Sequence, residues 1–129
     1  MNDSYGYTRA DIIQALGEMG VEAKEAVPAL IKALKDESDV VRANSAWALG
    51  QIGPEAKAAV PYLIESMGDI DSDVRANSAR ALWEMSVEAK EAVPALIKAL
   101  EDQGIIKNNS EYKDYKRRVK NPDKPDYVG

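Results

Sequence analysis

The chain has 129 residues, of which 45% are apolar and 30% charged, and it carries a formal net charge of −5. That is room for one domain, and the absence of any Cys or His removes disulfides, thiolate chemistry, the commonest general base and the commonest metal ligand. An acidic chain repels a phosphate backbone, no apolar run approaches the ~20 residues of a membrane span, and Met1 to Tyr7 carries no signal-peptide core, so the expected location is the cytoplasm and nucleic acid and membrane are disfavoured as partners.

Internal periodicity dominates the sequence. Pro28, Pro61 and Pro94 stand 33 residues apart, as do Arg9, Arg42 and Arg75, and Leu16, Leu49 and Leu82. Val41 to Ala46 recurs unchanged as Val74 to Ala79, and Val21 to Leu34 recurs unchanged as Val87 to Leu100, two periods later. In chain order, residues 1–8 read as an N-terminal tail. A helix over about 9–20 follows; it corresponds to the second helix of the repeat. Ile12 and Ile13 in it replace Ser45, Ala46 and Ser78, Ala79 of later copies, either filling space left by a missing partner helix or leaving an apolar edge that self-associates.

Pairs of first and second helices are predicted at about 22–53 and 55–86, with a lone first helix at about 88–102. In the second helix of the first pair, positions 41, 45, 48, 49 and 52 share one face at helical spacing. Ser38 or Asp39 can cap its start, and Gly53 and Pro54 follow its end. The next first helix offers Ala59, Val60, Leu63, Ile64 and Met67 for burial, with Pro61 predicted to bend it or to split it. Asp69, Asp71 and Asp73 alternate in the following turn, but without the Gly and Glu of an EF-hand they read as caps and pairing groups. No metal site or cofactor is expected. The repeats span 9–104. Residues 105–120 hold most of a basic segment and read as a C-terminal cap containing a short helix, with a basic arm for an acidic partner or nucleic acid and disorder as alternatives; 121–129 read as a flexible tail.

The stretch VRANSAWALGQIGPEAKAAVPYLI (residues 41–64) resembles the HEAT-like repeats of the phycobilisome-lyase type, and the resemblance covers about residues 8–104. It implies an all-α fold, an α-solenoid of antiparallel helix pairs forming a HEAT-like superhelix, with about six repeat helices and a short C-terminal capping helix. It also implies that Asp36 and Arg42, and Asp69 and Arg75, are structural members of a hydrogen-bonded ladder between turns, a role that suits a forked guanidinium. The third copy keeps Pro94 and Asp102 but has Asn108 at the arginine position, so the pattern stops there.

The resemblance further implies that second helices line a concave, partner-binding face. Helical phase independently places 44, 47 and 51 opposite the buried stripe. The candidate strip is Asp11, Gln14, Glu18; Asn44, Trp47, Gln51; and Asn77, Arg80, Glu84, with Trp83 at its margin. Trp47 has two readings, an anchor for a partner or a lid lying flat over a thin core. Trp83 is assigned to packing against the C-terminal cap. Asn44 and Asn77 could read a peptide backbone with their amides, against a plainer reading as solvated polar groups. No nucleophile with a base and no phosphate loop is present. The reading is a non-catalytic scaffold for a protein or peptide. The alternatives are a lyase or chromophore-chaperone subunit by family analogy, or a fragment or engineered array with no natural partner. The basic concave face of HEAT-like DNA glycosylases is missing, since Asp11, Glu18 and Glu84 face a single Arg80.

Overall fold

The computed structural model describes residues 3–85, 90, 93–102 and 117, and every element among them is helical. In order these are α1 (Asp3–Met19), a 3₁₀ segment (Gly20–Ala26), α2 (Val27–Ala33), α3 (Asp39–Ile52), a second 3₁₀ segment (Gly53–Ala59), α4 (Val60–Ser66), α5 (Ser72–Glu84) and α6 (Val93–Asp102). The chain divides into two compact units, Met1–Leu96 and Ile97–Gly129. In the first, the second helices α1, α3 and α5 pack side by side with α3 in the middle, while α2 packs on α3 and α4 on α5. In the second, Ile97–Asp102 form the end of α6, where Lys98 and Asp102 pair at 3.4 Å across one helical turn. The cap and tail assigned to 105–120 and 121–129 lie outside the described residues, Arg117 apart.

Local chemistry sets the helix boundaries. The Val41 N–H donates to Ser38 Oγ (3.4 Å) at the start of α3, and the Val74 N–H donates to Asp71 Oδ2 (3.0 Å) at the start of α5. Each cap satisfies one N–H that the helix itself leaves open, worth about 1 kcal/mol. Gly53 ends α3 at φ +78°, a conformation that glycine adopts without Cβ strain. Pro61 sits in the first turn of α4, where its missing N–H is harmless, and the residues before it form a separate 3₁₀ segment kinked at Ala56. The predicted split of this helix is therefore what occurs.

The start of the chain differs from the reading. Helix α1 begins at Asp3, so residues 3–8 are helical and not a tail. Gly6 is buried against the turn after α2, where a Cβ would come within 3.3 Å of Ser38 Oγ, and this close seat extends α1 toward the N-terminus. Of the two isoleucines in question, Ile13 is buried and Ile12 is exposed.

The core runs through the pairs as one cluster that includes Leu30, Leu34, Val41, Leu49, Ile52, Val60, Leu63, Leu82 and Met85. Burying one such side chain stabilises by about 1.5–3 kcal/mol. Helix α3 is buried well beyond its predicted stripe, because Ala43, Ala46 and Gly50 are also closed off between α1 and α5. Small residues make this possible. A Cβ on Gly50 would lie 2.9 Å from Ala81 Cα, and one on Gly17 would strike the Trp47 ring and lie 3.1 Å from Ala48 Cα. The backbones of successive second helices thus approach where a side chain has been removed.

Candidate functional site

Two sets of residues were singled out, and they occupy different parts of the first unit. The ladder lies at the turns. Arg42 Nε and Nη2 donate to Asp69 Oδ2 and Oδ1 (2.9 and 3.1 Å), while its Nη1 donates to the carbonyls of Asp36 and Glu37 (2.8 and 3.2 Å). One guanidinium therefore ties the turn before α3 to the turn before α5. Arg75 Nη1 likewise holds the carbonyls of Asp69 and Ile70 (2.8 and 3.1 Å). Asp36 takes its fork from Arg9, through Nε and Nη2 at 3.1 and 3.0 Å. Arg9 was not placed in the ladder from the sequence, although its 33-residue register with Arg42 was the signal.

Burial pushes the Asp69 carboxyl up, but the Arg42 fork, the Asp71 N–H and the charges of Arg42 and Arg75 outweigh it and hold the group below the ordinary carboxylate range. Asp36 behaves likewise: burial raises it, and the Ser38 N–H, the Arg9 fork and the charges of Arg9 and Arg42 lower it by more. Arg42 is raised by its bond to Asp69, against the opposing effect of burial. These groups are fully ionised members of a structural network. The Asp69–Asp71–Asp73 turn carries it: Asp69 also accepts from the Asp71 N–H (2.9 Å), and Asp71 caps α5.

The second set lies on α1, α3 and α5. Trp47, Gln51, Asn77, Arg80 and Glu84 converge, with Gly50 and Ala81, around one cleft of about 60 Å³ between α3 and α5. Asp11, Gln14 and Glu18 are exposed on α1 and do not line that cleft. Asn44 has its amide already engaged, since Nδ2 donates to the Ala10 carbonyl (3.1 Å) and ties α3 to α1. Asn77 donates to Asp73 O of its own helix (2.8 Å). Trp47 is half-buried, lying over Gly17 and against the core, which is the lid geometry with only part of the ring open. Trp83, by contrast, is 74% exposed. The cap it was assigned to lies outside the described residues.

A cleft of this size holds about two water molecules by liquid volume, well below the hundreds of cubic ångströms of a small-molecule pocket. A larger cavity, about 550 Å³, lies elsewhere, at the turns, lined by Gly6, Tyr7, Glu37, Ser38, Asp39, Val40, Arg42 and Ile70. No group of three or more metal-ligating side chains comes together among the described residues.

With helix pairs, a 33-residue register and an arginine–aspartate ladder in place, the comparison with known families is decisive. The profile of HEAT repeats matches residues 1–83, more than half of the chain. The chain is a HEAT-repeat protein. The match takes in α1 to α4 and all but the last residue of α5. It is to HEAT repeats in general and does not extend to the narrower phycobilisome-lyase type. A search of curated proteins finds no match. HEAT repeats are commonly protein-interaction scaffolds and are typically non-catalytic. No helix among the described residues is long and apolar enough to cross a membrane.

Proposed function

We propose that this HEAT-repeat protein is a non-catalytic, cytoplasmic scaffold. It binds a protein or peptide along the face made by α1, α3 and α5, the concave side of a superhelical stack. The observation that carries this reading is Trp83. It is a large aromatic, 74% exposed, on a helix held by core packing, with exposed Arg80 and Glu84 beside it and the Trp47 cleft adjoining. Trp and Arg are the side chains that most often dominate binding energy, and a rigid helix presents them with little ordering cost. The mixed charge of the strip, three carboxylates and one guanidinium, suits a polar peptide better than a polyanion.

Binding partners recovered on immobilised protein provide the test. A Trp83→Ser, Arg80→Ala variant, altered only at exposed positions, is expected to keep its helicity and lose the partner. A Tyr62→Ser variant, exposed on α4, is expected to keep both. Loss with Tyr62→Ser and retention with the α5 variant would place the binding surface on the other side and refute the reading.

A further inference from the structure

The middle copy of the first helix departs from the other two, and its departures converge. Val93 to Leu100 repeats Val27 to Leu34 unchanged. The copy between them, Val60 to Met67, has Tyr62, Glu65, Ser66 and Met67 where the first copy has Ala29, Lys32, Ala33 and Leu34. In the turn that follows, Gly68 replaces Lys35 and Ile70 replaces Glu37. Tyr62, Glu65, Ser66 and Ile70 all line one cavity of about 340 Å³, together with Leu34, Lys35 and the ladder pair Arg42 and Asp69. The cavity lies between the turn after α2 and the end of α4, wholly within the first unit.

Two of the changes add exposed apolar surface, since Tyr62 is 44% exposed and Ile70 93%. The backbone that carries Ile70 is held: its carbonyl accepts from Arg75 Nη1 (3.1 Å), and across the same turn the Asp71 N–H donates to Asp69 Oδ1 (2.9 Å). An apolar side chain on a fixed turn offers contact at little ordering cost. Two further changes remove cations. Residues 27–37 carry Lys32, Lys35, Asp36 and Glu37, whereas residues 60–70 carry Glu65 and Asp69 and no Lys or Arg. Both cations at the cavity are already engaged. Arg42 is spent on Asp69 and on the carbonyls of Asp36 and Glu37. Lys35 Nζ lies 3.2 Å from Glu65 Oε1, with both side chains largely exposed. An exposed pair of this kind contributes little, so Glu65 can exchange Lys35 for an incoming cation.

We infer that this cavity is a second docking site, and that its occupant is a basic peptide segment of a partner protein. An arginine or lysine of the peptide lays its stem along the Tyr62 ring and brings its charge to Glu65. An apolar residue beside it packs on Ile70. The charges at the cavity fix the sign of the occupant: an anionic segment would meet Glu65 and Asp69 with no cation left to receive it, whereas a cationic one finds Glu65 largely exposed. The site is built from α4 and the turns and not from the face that carries Trp83. Its ligand is therefore separate from the partner proposed for that face.

The test is a titration of the isotope-labelled full chain with an acetylated, amidated peptide of alternating leucine and arginine, followed by amide chemical shifts. Shifts are expected to concentrate on residues 34–37 and 62–71, with a Kd below about 1 mM. The same peptide with citrulline in place of arginine is expected to bind at least about tenfold more weakly. A Tyr62→Ala, Glu65→Lys, Ile70→Glu variant gives this copy the residues that the first copy carries as Ala29, Lys32 and Glu37. It is expected to keep its helicity by circular dichroism and to lose at least about tenfold in peptide affinity. Ile70→Glu alone, at a position open to solvent, is expected to weaken binding in the same direction and keeps the test decisive if the triple variant does not fold. Trp83→Ser, Arg80→Ala is expected to bind the peptide like wild type. The inference is overturned by a wild-type chain that shows no shifts at about 1 mM peptide, or by shifts centred on the α1, α3 and α5 face. It is equally overturned by a citrulline peptide that binds as well, or by folded cavity variants that bind like wild type.

Discussion

Helices α1 and α3 occupy the same register of the repeat and share its arginine, leucine and glycine positions, yet they live in different surroundings. Helix α3 is flanked by α1 and α5 and covered by α2, and its Leu49 and Ile52 are sealed. Helix α1 presents the equivalent Leu16 and Met19 half or largely open. The difference teaches that in a repeat protein the residue type sets what a position can bury, and the neighbouring repeat sets whether it does.

The largest expected effect breaks this comparison at the leucine. Leu49→Ala should cost about 3–4 kcal/mol, as a fully buried leucine that leaves a cavity does. Leu16→Ala, at the same register but partly exposed, should cost less than half as much. Urea unfolding followed by circular dichroism measures both, and equal losses would erase the distinction between the middle and the end.

The glycines come next. Gly50→Ala pushes a Cβ against the Ala81 backbone, which cannot move aside, and should cost about 1–3 kcal/mol despite the helix propensity gained. Gly17→Ala meets the Trp47 ring first. It should cost less and should alter the near-ultraviolet circular dichroism as the indole tilts.

The ladder rungs sharpen the comparison further. The Arg42–Asp69 pair is more enclosed than Arg9–Asp36, with the arginine side chains 14% and 35% exposed. Asp69→Asn should therefore cost about 2 kcal/mol, and Asp36→Asn about 1 kcal/mol or less, by the same unfolding measurement.

The pH response is smaller and has a definite sign. Both carboxyls titrate below 3.8 in the folded chain, so their contribution is complete above that value and is lost as pH falls through the lowered folded value. Urea midpoints should hold between pH 7 and about pH 5 and drop below about pH 4. Asp69→Asn should flatten that acid limb. Smallest of all, Ile12→Gln should shift stability by under about 0.5 kcal/mol, because solvent already reaches the side chain.

Much of the architecture was readable from spacing. The 33-residue period, the buried positions 41, 45, 48, 49 and 52, and the Pro61 split all follow from helical phase and proline geometry, and the structure places them so. The start of α1 was misjudged because residues 3–8 show no periodic apolar signal, and the seat of Gly6 beside Ser38 is a contact between residues distant in sequence. Phase put the candidate strip on α1, α3 and α5, but phase alone could not tell Trp47 from Trp83. Trp47 lies down because Gly17, on the preceding second helix, leaves it a seat. Asn44 looked free on a helical projection and is tied to Ala10 of the neighbouring helix. Both facts depend on side-by-side packing of second helices, which a single-helix projection does not contain.

Apart from the start of α1, sequence by itself determined where the helices of the first unit lie, where α3 and α4 are capped or broken, and which stripe seeks burial, because these depend on backbone sterics and on side chains a turn apart. Tertiary structure decided how far each stripe is buried, which aromatic stays open, and which carboxylate each guanidinium meets. Those outcomes depend on the distance between neighbouring helices, and here that distance follows from the missing side chains of Gly17 and Gly50.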